Sequence, residues 1–170
     1  MRTKKIALLS ILCSVGIVLS FFESVIPVFN IIPGGKIGIA NCVTLVVFSM
    51  FSPLETLLFG LFRSFVSAVL FSGIQSFFYS GAGCLLSVIS MTLARKILKE
   101  RVSYSGLSVL GALFFNIGQI LVCALVVSNA QVFRYLSVLG IISAISGTIT
   151  GYISKLLILY LNSKNIGMER

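Results

Sequence analysis

Residues able to hold a polar ligand are few in this chain, and they lie inside apolar runs. Arg63 interrupts LLFGLFRSFVSAVLF, residues 57–71. A central arginine costs about 2.5–3.5 kcal/mol on membrane-insertion scales, so it should face protein or water and have a partner. Glu23, Asn116 and an anionic ligand are candidate partners; a structural pairing with Glu23 or with helix-end carbonyls is the plainer alternative. Asn116 and Gln119 are spaced i, i+3 and share one helical face, where they suit either a ligand or hydrogen bonds between helices. Tyr79 suits a site or the membrane interface. Lys36 and Asn41 follow Pro33-Gly34-Gly35, a stretch that cannot continue a helix. Non-helical backbone at membrane depth needs cover from protein or a water-filled cavity. A helix starting there, with Lys36 beside it, would favour an anionic group. Glu23 and Lys36 also fit ordinary solvated loop charges, and Lys36 a snorkelling lysine.

This chemistry is binding rather than bond-making. The chain has no His and no Asp, and its four acids are Glu23, Glu55, Glu100 and Glu169. That removes a histidine general base, a His-ligated metal and the clustered aspartates that hold Mg²⁺-diphosphate. No GxxxxGK[ST] loop is present, so ATP hydrolysis would need another protein. Cys13, Cys42, Cys84 and Cys123 lie in separate apolar runs and read as packing residues. No catalytic residue, metal or cofactor is expected.

The elements that must position these residues are membrane spans. The chain has 170 residues, 58% hydrophobic and 10% charged, whereas soluble domains are about a quarter charged. Its net charge of +9 sits at span ends, as the positive-inside rule requires, and nucleic acid is not an expected partner. Six spans are expected: about 6–26, 37–51, 54–72, 76–94, 107–128 and 135–161, forming one domain over 1–170. The second is short. Pro53 suits a helix start, and Gly73 a tight turn between spans three and four. Met1–Lys5 before an apolar run resembles a signal peptide, but without an A-x-A-like cleavage site it reads as a retained first helix. With six spans, ten basic residues fall on one side. They are Arg2, Lys4, Lys5, Arg95, Lys96, Lys99, Arg101, Lys155, Lys164 and Arg170. Lys36 and Arg134 fall on the other. This asymmetry predicts a multi-pass plasma-membrane protein with both termini cytoplasmic. The candidate ligand groups then collect in the outer half, with an excess of cations that suggests a carboxylate or phosphate ligand.

One family brings these pieces together. Lys36-Ile37-Gly38-Ile39-Ala40-Asn41 with Val43-Thr44-Leu45, Arg63, Tyr79-Ser80 with Gly81 and Gly83, and Asn116-Ile117-Gly118-Gln119 resemble the Gx transporter family, also called heptaprenyl diphosphate synthase component I. The resemblance covers about residues 5–160. That family is similar to the substrate-binding (S) components of energy-coupling factor transporters. The resemblance implies an all-α, six-helix membrane bundle with an irregular outer loop between helices one and two, holding a small molecule under that loop. It also implies a transmembrane coupling protein with two ATPases as partner. Phe115 stands where family members often have His. S components dock through an AxxxA stripe on helix one, to which Ser10 with Ser14, or Ala7 with Ile11, come nearest. The alternative is a non-catalytic membrane partner in isoprenoid or quinone metabolism, or in quinone-linked extracellular electron transfer, recruiting an enzyme through the basic 95–101 loop.

Overall fold

The computed structural model describes residues 2–25, 38–128 and 130–164. They form the helices α1 (Arg2–Val25), α2 (Asn41–Met50), α3 (Pro53–Ser67), α4 (Gln75–Leu98), α5 (Tyr104–Val127) and α6 (Tyr135–Ser163). A π-helical turn, Ala68–Ser72, prolongs α3, and 3-10 turns, Lys99–Arg101 and Ala130–Arg134, precede α5 and α6. Five of the helices are long and apolar enough to cross a membrane, and α2 is a shorter apolar one. These helices overlap the expected stretches: α1 begins four residues and α5 three residues earlier than expected, and α4 ends four residues later. The second begins at Asn41 instead of Ile37; the Pro33-Gly34-Gly35 stretch and Lys36 lie outside the described residues.

Local sequence explains the helix ends. Pro53 occupies the first turn of α3, and Ser52 with Glu55 forms a reciprocal capping box. Such a cap satisfies two otherwise orphaned backbone N–H groups. Gly73 carries φ 76° at the turn into α4, a conformation that suits glycine. Ser103 caps α5 by accepting from the Gly106 N–H.

The burial pattern is the reverse of a soluble protein's. Outward faces carry Ile11, Phe62, Leu125, Ile141 and Ile145, all exposed, while Ser64, Ser67, Ser87, Ser108, Ser143 and Ser154 are buried. Lipid tails are as apolar as leucine, so little is gained by hiding leucine between helices. Small residues, which allow close approach, take the interfaces instead. Where α4 crosses α5, a Cβ on Gly118 would stand 2.7 Å from Ala82 O and from Gly83 Cα. The two backbones touch there, and only glycine fits.

α4 packs along α5 and α5 along α6, while α3 lies on α4 and α1 on α3 and α2. α2 is mostly apolar, and eight of its ten residues are buried; a helix with so few polar residues belongs in the interior. At about 15 Å it covers only half of a bilayer's hydrocarbon thickness. Its far end joins a core cluster with Leu12, Phe51, Ile158 and Leu161, which places the start of α1 and the end of α6 at the same end of the bundle. There Lys5 pairs with Glu55 and lies over the Phe51 ring.

Candidate functional site

Arg63 is only 4% exposed. It is nine residues before the end of the π turn, about 13 Å along the helix. Its guanidinium donates to Ser20 Oγ on α1 at 2.9 Å and to Asn41 Oδ1, the first residue of α2, at 3.5 Å. The second contact is at the limit of hydrogen-bond geometry. Arg63 forms no ion pair among the described residues. Gly16 makes room for its stem: a Cβ there would lie 2.5 Å from Arg63 Cδ.

The chain enters α2 through a tight turn beside this arginine. Gly38 has φ 88°, and its carbonyl accepts from the Asn41 N–H at 2.9 Å. Glycine is required there twice, by the dihedral and because a Cβ would stand 2.7 Å from Asn41 Nδ2. The buried Glu23 carboxylate accepts from the Ile39 N–H. The helix start expected to attract an anion thus already has one from the protein itself.

These groups surround a cavity lined by Ser20 and Glu23 of α1, Gly38, Ala40 and Asn41, Arg63, Ser64 and Ser67 of α3, Ser80 of α4 and Phe115 of α5. Its volume is about 10 Å³, the room of one water molecule. Among the described residues, four buried polar atoms of the lining have no hydrogen-bond partner: Arg63 Nε, Asn41 Nδ2, Ser67 Oγ and Ser80 Oγ. Buried polar atoms are normally bonded, so this is unspent hydrogen-bonding capacity concentrated around one cation.

Of the candidate residues, Arg63, Asn41 and Glu23 meet at this cavity, whereas the others lie elsewhere or outside the described residues. Asn116 turns to α6, donating to Ser143 Oγ at 2.6 Å and Leu139 O at 3.5 Å. It does not pair with Arg63. Gln119 is buried, and both its amide atoms lack a hydrogen-bond partner among the described residues, but it does not line the cavity. Tyr79 sits in an outward apolar groove with Phe78, Leu85 and Leu125. One residue along α4 is a rotation of about 100°, which is why Ser80 and not Tyr79 reaches the cavity. Lys36 lies outside the described residues. Ser10 and Ser14 are exposed on α1 and bonded to each other within the helix, away from the cavity.

Four lining serines escaped the sequence reading as ligand groups, because serine is also the ordinary packing residue of membrane helices. A signal was present nonetheless: Ser64 and Ser67 flank Arg63 at i+1 and i+4, and Ser20 precedes Glu23 by three. Phe115, the position where the resemblance departs from its usual His, forms part of the wall.

No curated protein and no solved structure matches the chain. The family model for heptaprenyl diphosphate synthase component I matches residues 12–157, a stretch holding the whole described cavity, and the chain belongs to that family.

Proposed function

We propose that this membrane component binds a small anionic molecule in the Arg63 cavity and serves as the substrate-binding part of an energy-coupling factor-type uptake system. The observation that carries the reading is Arg63 itself. It is a nearly fully buried cation, partnered among the described residues by two neutral oxygens, beside a cavity where Asn41 Nδ2, Ser67 Oγ and Ser80 Oγ have no hydrogen-bond partner among those residues. A carboxylate or phosphate oxygen would supply the missing acceptor through a charge-assisted bond. Asn41 Nδ2, Ser67 and Ser80 would orient it. At about 10 Å³ the cavity holds no more than a water molecule, so a larger ligand would enter by separating α1 and the α2 start from α3. The glycine and serine walls leave few bulky contacts to break. Energy would come from a coupling protein with two ATPases, docked on the exposed α1 face that carries Ser10 and Ser14.

A second reading is favoured by the family's description as one component of a prenyl diphosphate synthase. The chain would then be a non-catalytic membrane partner in isoprenoid or quinone metabolism. It has no Asp, so the Mg²⁺-diphosphate chemistry would belong to another subunit. Purification of the tagged chain from native membranes in mild detergent separates the two. A transmembrane coupling protein with ATPases supports uptake. A prenyl synthase or a redox enzyme without ATPases refutes uptake in favour of the second reading.

A further inference from the structure

A second, larger recess lies at the opposite end of the bundle from the Arg63 cavity. The end of α4, the 3-10 turn and the start of α5 enclose a crevice of about 330 Å³ with α6, a volume within the usual range of ligand pockets. Three cationic side chains from three elements border it: Arg95, Lys99 and Lys155. None of them forms an ion pair among the described residues, and no described carboxylate lines the crevice. The Arg95 guanidinium lies 5.7 Å from the centre of the buried Phe48 ring, an apolar wall that holds the cation in place.

The start of α5 adds to this charge. Ser103, Tyr104 and Ser105 line the crevice. The Ser103 hydroxyl takes the Gly106 N–H at 3.1 Å and its carbonyl the Leu107 N–H at 2.9 Å. The N–H groups of Tyr104 and Ser105 have no carbonyl one turn back to bond. They stand at the positive end of a 24-residue helix.

Topology alone does not explain this convergence. A charge that sets orientation needs only to sit in a flanking loop. Lys155 is eight residues before the end of α6, about 12 Å into the helix, and there it faces the charges of α4 and the turn. We propose that this crevice binds a phosphate group, either on an anionic lipid headgroup or on a soluble phosphate. Cations at three positions and the first-turn N–H groups of α5, which have no intrahelical partner, match the several oxygens of a phosphate.

The test uses the full chain in lipid nanodiscs, with two charge-matched triple variants. One removes the crevice cations (Arg95→Gln, Lys99→Gln, Lys155→Gln). The other removes basic residues of the same end that do not line it (Lys4→Gln, Lys96→Gln, Lys164→Gln). In discs of phosphatidylcholine containing phosphatidylglycerol, native mass spectrometry reads the lipid retained by the protein. In discs of phosphatidylcholine alone, thermal unfolding reads stabilisation by inorganic phosphate against chloride at equal ionic strength. In at least one arm, wild type and control variant should bind, and the crevice variant should bind about tenfold more weakly or worse. Loss in the lipid arm alone identifies a headgroup, and loss in the phosphate arm alone a soluble phosphate. Lys155→Gln, which changes one exposed side chain, should weaken the same arm and keeps the test readable if the triple variant does not insert. Equal weakening by both triple variants, or no binding by wild type in either arm, overturns the proposal.

Discussion

Replacing Arg63 by methionine tests whether the arginine is there for the bundle or for a ligand. Methionine keeps the long, flexible stem that fits beside Gly16 and discards the charge. The structural loss is small. Ser20 Oγ keeps its own bond to the Gly16 carbonyl at 3.0 Å, so its hydroxyl stays satisfied as a donor. Asn41 Oδ1 loses only a contact at 3.5 Å. Leaving these two acceptors unmatched should cost about 1–2 kcal/mol together, the low end for orphaned polar groups. Against that stands the roughly 2.5–3.5 kcal/mol cost of holding an arginine inside the membrane. The ligand-free variant should therefore be as stable as wild type or more stable by about 1–2 kcal/mol, as for buried charges replaced by apolar residues of similar size. Thermal unfolding in detergent reads the shift, at about 2–4 °C per kcal/mol for a chain of this size. A loss of about 2 kcal/mol or more would mean that Arg63 is a structural strut, and the case for an anion site would fall. Under the ligand reading, any anionic molecule that mass spectrometry finds in denatured extracts of the wild-type protein should be missing from the variant. Two charge-assisted bonds amount to roughly 3–6 kcal/mol, or 10² to 10⁴ in affinity.

Other residues give sharper structural tests. Gly118→Ala places a methyl against the backbone of Ala82 and Gly83, so α4 and α5 must separate. Unfolding should show a loss of about 1–3 kcal/mol, and an unchanged midpoint would contradict the crossing. A double-mutant cycle on Asn116→Ala and Ser143→Ala should give a coupling of about 0.6 kcal/mol, and no more than about 1.7, typical of hydrogen bonds between membrane helices; zero coupling would remove the α5–α6 clasp. All four cysteines are free and buried. A maleimide should therefore label none in the folded protein and all four after denaturation, and rapid labelling of Cys42 would show that the α2 start is open.

The membrane class and most helix boundaries were legible because each rests on local chemistry. Pro53 behind Ser52 starts a helix wherever it occurs, Gly73 ends one, and long apolar runs span bilayers whatever surrounds them. The burial of Arg63 inside the bundle was equally legible, since a cation in such a run must face protein or water before any fold is known. Its partners were not. Hydrogen bonds such as Arg63 to Ser20, 43 residues apart, or Asn116 to Ser143, 27 apart, depend on which helices become neighbours and on their rotation. Serine looks the same in sequence whether it packs, caps or lines a cavity. The rotation of α4 decided that Ser80 and not Tyr79 lines the Arg63 cavity, and the seating of Glu23 on the Ile39 N–H decided that the α2 start meets the protein's own carboxylate. Composition and periodicity thus determined the solvent, the spans and the odd cation, because those follow from each residue's own transfer energy. Tertiary structure alone decided which polar groups share a cavity and that three cations converge on a crevice, because both depend on distances set by helix–helix contact.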